Sequence, residues 1–300
     1  MAKNSIIGRY ASGKAKDFAM KSAFDENGNP TEGFEKLVFT TLDIQRPLVL
    51  KNIQRLHESH PGETPEQLAE RLADQYVTAS TGAGAAVGGT AIVPGIGTVA
   101  ALGLSAAATV AFLVATALYA QSLAELHGLT TKDPARSKAL VMAVMLGDDA
   151  KELLKDISRK SGVKNTGTPD SAAGLAAMMN GGAAGQAAGG AGLGAVAIEQ
   201  LKKQFVKKVH VRQGAGFLGR AVPFGVGAVI GGVGNRAMAK AVVKNSRDLF
   251  GPLPAQIPGE IVAASAKGQD VGQSAEDGKG GLVSGLIKAL PLGKKDEKKA

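Results

Sequence analysis

Hydrophobic and polar positions fall in long blocks along this chain. No charged residue occurs between Asp74 and Glu125. Within that block, residues 77–93 and 98–124 read as two apolar helical runs. Pro94-Gly95-Ile96-Gly97 lies between them and marks a turn, which predicts a tight apolar helical hairpin. Residues 100–120 distribute Leu102, Leu104, Val110, Phe112, Leu113, Val114, Leu118 and Tyr119 around the whole helix. A helix that is apolar on every side is buried in protein or lies in lipid. Its length suits a bilayer, which needs about 20 apolar residues. Seven of these residues are Leu, Val or Phe, contributing about −3 kcal/mol at mid-membrane. That driving force is marginal. Insertion or close association with a membrane and burial in a protein core both stay open.

The remaining blocks also read as helices. Residues 31–60 carry Phe34, Leu37, Val38, Leu42, Leu48, Leu50, Ile53 and Leu56 at mixed helical spacing, and Pro47 predicts a break or kink. Thr64-Pro65-Glu66-Gln67 is a capping box with proline at the first helical position. Leu68, Leu72 and Tyr76 follow on one face and lead into the hairpin. After Gly128, Asp133-Pro134 opens an amphipathic helix over 135–146, with Leu140, Val141, Val144 and Met145 as its apolar side. A helix over 148–158 presents Leu153, Leu154 and Ile157. Residues 161–170 read as a polar loop.

A second uncharged stretch covers 171–198, where Gly181, Gly185 and Gly189 recur every four residues. On a helix that spacing makes a groove for close packing. A flexible low-complexity loop is the competing reading, because each helical Gly costs about 1 kcal/mol. A basic helix over 200–212 has Leu201, Phe205, Val206 and Val209 as its apolar side. A third apolar run covers 221–235 and contains Gly227 and Gly231. Pro252, Pro254 and Pro258 close the helical part, and a polar tail follows, with a short stripe of Leu282, Val283, Leu286, Ile287 and Leu290. The fold class expected is all-α, a helical bundle built around Ala/Gly-rich apolar hairpins. Gly84, Gly88, Gly181, Gly185, Gly189, Gly227 and Gly231 are its expected helix-packing positions. The organisation expected is a flexible segment over 1–30, a helical domain over 31–252 and a flexible Lys-rich tail over 253–300.

Composition sharpens this picture. The chain has 41 Gly, no Trp and 4% aromatic residues, which favours close helix approach over packing of large side chains. With no Cys it makes no disulfide and no thiolate metal site, which fits a reducing cytoplasm. Residues 1–10 contain no apolar core of a secretory signal, so membrane contact is expected from the cytoplasmic side. The net charge of +9 is concentrated: residues 200–247 hold ten Lys or Arg and no Asp or Glu. Lys202, Lys203, Lys207, Lys208, Arg212, Arg236, Lys240, Lys244 and Arg247 are the candidates for contact with an anionic surface. Nucleic acid is a poor fit, because no aromatic lies between Phe224 and Phe250 to stack on bases.

Candidate chemistry is thin. His57 and His60, with Glu63 nearby, have a spacing that fits one metal. The same residues also describe a solvated helix end before Pro61. Asp148, Asp149, Glu152 and Asp156 form an acidic face suited to a cation or to acid–base work, and equally to a helix N-terminus. The glycine runs end in no Gly-Lys-Ser/Thr, so they make no nucleotide loop. No catalytic, metal-binding or cofactor-binding residue is assigned, and no cofactor is expected.

Several motifs in order resemble the EcsC protein family. They are residues 65–72 (PEQLAERL), Tyr76, residues 81–88 (TGAGAAVG) and 94–97 (PGIG). His127-Gly128-Leu129 with Asp133-Pro134, then residues 140–146, 221–227 (AVPFGVG) and 231–235 (GGVGN), continue the series as far as Phe250. The chain departs from the family pattern in having no Asp between 98 and 124. The family's namesake is encoded beside an ABC transporter. The resemblance therefore implies a bacterial, membrane-linked accessory protein and supplies no catalytic residue. The partners expected are an anionic membrane surface, a membrane protein or transporter, and a second copy of the chain. A soluble interaction module, with the hairpin as its own core and the basic face for an acidic protein or nucleic acid, is the alternative.

Overall fold

A computed structural model of the chain describes residues 32–90, 98–160, 171–180, 190–218, 226–259 and 261. The expected segment over 1–30, the 161–170 loop and the tail beyond 261 lie outside the described residues. The protein is an all-α helical bundle, and no strand occurs among the described residues.

Local signals set most helix ends. The apolar pattern after residue 31 forms two helices, α1 (Glu32–Thr41) and α2 (Arg46–Ser59). The break falls just before Pro47, which sits in the first turn of α2. A first-turn residue has no carbonyl to bond, so proline is tolerated there. Helix α3 (Pro65–Thr90) begins with the capping box. Thr64 N donates to Gln67 Oε1 at 2.9 Å, and Gln67 N donates to Thr64 Oγ1 at 3.3 Å. Helix α4 (Thr98–Leu126) ends in a Schellman motif. Leu129 N donates to Ala124 O and Gly128 N to Glu125 O, both at 2.9 Å, with Gly128 at φ +76°.

Helix α5 (Pro134–Leu146) is capped by Asp133, whose side chain accepts from Ala135 N. It is not amphipathic as expected. All residues from Ala139 to Leu146 are buried, because α5 packs on α4 and α9 as well as on α6, α7 and α8. Helix α6 (Asp148–Lys160) follows after Gly147 and buries only Ala150, Leu154 and Ile157. Helices α7 (Ala172–Asn180), α8 (Gly190–Leu218) and α9 (Val226–Phe250) complete the bundle. The basic helix expected at 200–212 is thus the middle of the longer α8.

The hairpin of α3 and α4 carries α1, α2, α5 and α9, and α5 in turn carries α6, α7 and α8. Helix α9 lies along α3 in the most extensive helix pair of the bundle. The two run antiparallel, since Arg247 pairs with Glu70 and Asn235 Nδ2 donates to Ser80 O at 3.2 Å. Carried on by whole residues, that register brings Gly231 about level with Gly84, and Gly227 about level with Gly88. Of the expected packing set Gly84 is buried, and the surroundings of Gly88, Gly227 and Gly231 lie outside the described residues. Gly181, Gly185 and Gly189 lie outside the described residues.

One core joins residues from Val38 to Ile261. The described chain continues past residue 252, with Leu253 and Ile257 against the core and Ile261 buried. The inner half of α4, from Phe112 to Leu126, is buried throughout. Several of its polar groups are matched by bonds. Tyr76 and Tyr119 stack with ring centroids 4.8 Å apart. Thr116 Oγ1 donates its proton to Phe112 O, so Tyr76 is the donor in the 2.8 Å bond to Thr116. Likewise Ser246 Oγ donates to Val243 O, and Tyr119 donates to Ser246 at 2.8 Å.

Candidate anionic-surface interface

Helical geometry sorts the cations of α8 and α9 into outward rows. On α8, Val196, Gln200, Lys203 and Lys207 share one side, opposite the buried Phe205. On α9, Val233, Arg236, Lys240, Lys244 and Arg247 share one side, opposite the buried Ala239, Val242 and Leu249. Both rows begin apolar and become cationic toward the C-terminus of their helix. Val233 is 60% exposed and Val196 48%, and with Met238 they are the large apolar side chains left open to solvent among the described residues.

The cations differ in how they are held. Lys203, Lys207, Arg236 and Lys240 are exposed. Lys203 has only a loose 3.9 Å contact with Glu199, one turn away. Lys202 is also exposed, with its Nζ 5.2 Å from the centre of the Phe39 ring. Lys244 shares Asp248 with Lys151, each at 3.8 Å. Arg247 reaches Glu70 of α3 at 2.8 Å, and both are well exposed. Arg212 lies on α8, and its side chain is outside the described residues.

Lys208 differs from the expectation of a surface contact. Its Nζ donates to Leu146 O at 2.8 Å and to Asp149 Oδ2 at 2.6 Å. Leu146 ends α5, so the ammonium satisfies a carbonyl at the negative end of that helix. Asp149 belongs to the acidic face of α6. In that face Asp148 pairs with Lys151 and Asp156 with Arg159, at 3.4 and 3.6 Å. Asp148, Asp149 and Asp156 thus each have a cation within reach. His60 Nδ1 lies against Leu56 O and Ser59 Oγ, both at 3.1 Å, and so belongs to the end of α2. No cluster of three or more metal-ligating residues occurs among the described residues.

Glu63, the third member of the histidine set, is taken by Arg71. The guanidinium holds the Glu63 carboxyl below its usual range and is itself raised in return. Burial pushes the hydroxyls of Tyr76 and Tyr119 up, and the neighbouring Thr116 and Ser246 offset part of that.

The polar pair that matters most to the core was not singled out by the sequence. Arg46, at the start of α2, meets Glu125, near the end of α4. Glu125 Oε1 also accepts from Thr131 N and Thr131 Oγ1, each at 2.7 Å. The only signal was that Glu125 interrupts an uncharged run of helix.

No family model matches the chain, and no curated protein or solved structure matches it. Among the described residues, no helix is long and apolar enough to cross a membrane.

Proposed function

We propose that this protein is a non-enzymatic, membrane-associated accessory protein of the EcsC-like type, working at the cytoplasmic face of the cell membrane. The observation that carries this reading is the exposed cation set of α8 and α9. Lys202, Lys203, Lys207, Arg236 and Lys240 stand in a stretch without a carboxylate between Gln200 and Arg247. Each Lys or Arg near an anionic leaflet is worth about 1 kcal/mol. Those that reach the same leaflet add, which favours a reversible attachment that salt weakens. A transporter or other membrane protein is the natural partner for a protein held there.

The test is sedimentation of the pure protein with vesicles, some neutral and some containing anionic phosphatidylglycerol. Binding is expected to require the anionic lipid and to weaken from low to high salt. Lys202→Glu, Lys203→Glu and Lys207→Glu together should lower it at least tenfold. Binding unchanged by that triple variant at low salt overturns the reading.

The burial of Phe112–Leu126 favours a second reading. A hairpin whose inner half is the core of its own domain also suits a soluble module that offers the same cations to an acidic protein. A protein that ignores anionic vesicles and elutes as a single species without detergent fits that module.

A further inference from the structure

The turn between α4 and α5 is fastened by a chain of hydrogen bonds. Thr131 gives both its main-chain N–H and its hydroxyl to Glu125. Ser137 Oγ stands 3.0 Å from Thr131 O and from Asp133 O, and Ser137 N also donates to Asp133 O. Asp133 Oδ1 accepts from Ala135 N at 3.0 Å. Lys138 pairs with Asp43 at 2.8 Å.

Three polar groups of this turn are left over. Arg136 is 7% exposed, and its Nε is buried without a partner. Among the described residues its guanidinium has no hydrogen bond and no ion pair. Thr130 Oγ1 is also buried without a partner. The third is the main-chain N–H of Arg136. Asp133 takes the N–H groups on either side of it, those of Ala135 and Ser137, and no described residue takes its own. Side chains on a helix lean toward its N-terminus, so Arg136 extends from the first turn of α5 back toward the turn that carries Thr130. The first N–H groups of a helix point the same way. All three donors therefore belong to one end of α5.

This is a costly place for an unmatched cation. Arg136 is out of water, lacks a counter-charge among the described residues and stands at the positive end of a helix. Glu125 is the other buried charge among the described residues, and it is met by Arg46 and twice by Thr131. Asp133 is exposed and holds the N-cap, so it moderates the positive field without pairing with Arg136. A bound anion would turn each of these costs into a gain. A guanidinium, a hydroxyl and a helix N–H are together the donors that suit phosphate oxygens.

We infer that the N-terminus of α5, with Arg136 and Thr130, is a binding site for a phosphate group. The site goes beyond the membrane reading and does not depend on it. Two sources carry the same chemistry, the headgroup of a phospholipid and a phosphate free in solution.

Thermal unfolding of the whole protein tests the site. The probes are inorganic phosphate and monomeric dihexanoyl phosphatidylglycerol, each compared with chloride at equal ionic strength and pH. The midpoint should rise by about 3 °C at ten times the dissociation constant. Arg136→Met should abolish the rise, and Thr130→Val should weaken binding severalfold. In chloride, Arg136→Met should unfold no lower than the parent protein, since it removes an unmatched buried charge. A response to either probe that Arg136→Met removes upholds the site. Lipid alone would assign the headgroup as the source, and inorganic phosphate a soluble ligand. No response to either probe, or one that survives in Arg136→Met, would overturn the site. A midpoint for Arg136→Met well below the parent's in chloride would overturn it too, by showing that the guanidinium already has a partner inside the fold. The triple variant Lys202→Glu, Lys203→Glu and Lys207→Glu should keep the response. Its loss there would assign the response to the surface cations and overturn the inference.

Discussion

Arg46 meets Glu125 side by side, with Nε 2.7 Å from Oε1 and Nη2 2.9 Å from Oε2. The carboxylate side chain is 4% exposed and the guanidinium 17%. The pair ties the start of α2 to the end of α4, and Thr131 brings in the loop before α5. Removing Arg46 leaves the buried Glu125 carboxylate without its counter-charge. Arg46→Met or Glu125→Ala should therefore cost about 3 kcal/mol in denaturant unfolding. Replacing both together should cost less than the sum, which a double-mutant cycle will show.

Gly147 joins α5 to α6 with φ +65° and ψ −125°. A Cβ there would stand 2.5 Å from Asn245 Nδ2, an atom that itself donates to Val144 O at 3.1 Å. Gly147→Ala should lower stability by about 2 kcal/mol from backbone strain, with the clash in addition. Adding Asn245→Ala should recover only part of the loss, because the strain remains. Full recovery in the thermal midpoint would assign the whole cost to the clash.

Tyr76 and Tyr119 give the fold an alkaline limit. Burial raises both hydroxyls above the usual tyrosine value of 10.0. The unfolded chain thus gives up these protons first as pH rises. Their contribution is fully present below pH 10 and is lost as pH climbs through the raised folded values. An alkaline titration followed by tyrosinate absorbance and far-UV circular dichroism should show these two rings ionising together with the loss of helix. Tyr76→Phe with Tyr119→Phe should make stability less dependent on pH above 10.

Lys203 and Lys208 stand five residues apart and carry the same label in a sequence reading, yet their work differs. Lys208→Met should lower stability by about 1 kcal/mol, since it leaves Leu146 O and Asp149 without their donor. Lys203→Glu should leave the thermal midpoint within about 1 °C and act on vesicle binding alone. Measuring both properties on both variants separates the structural cation from the surface one.

Local chemistry made most helix boundaries legible. Thr64 and Gln67, Gly128, and Asp133 with Pro134 act on neighbours within a few residues, so the sequence shows them directly. Long-range partners were not legible. Nothing near Glu125 announces Arg46, 79 positions away, and nothing near Lys208 shows that α5 ends against it. Helix α5 misled for a different reason. Its polar residues, Arg136, Ser137 and Lys138, are gathered at its first turns, so its polarity changes along the axis and not around it. The cationic rows were readable from spacing, whereas the separation of held from exposed cations needed the helix neighbours.

The pairing of α9 with α3 has a consequence for how the molecule is made. Asn235 bonds Ser80 across 155 positions of sequence. A ribosome releases the hairpin long before it releases the helix that covers it. While residues 127–225 are being made, the nascent hairpin has no α9 to pack against. Distant contacts of this kind close late and slowly. During that interval the competitors for the open surface are a chaperone and the nearest membrane. The time at which α9 emerges then decides which of them the new chain meets first.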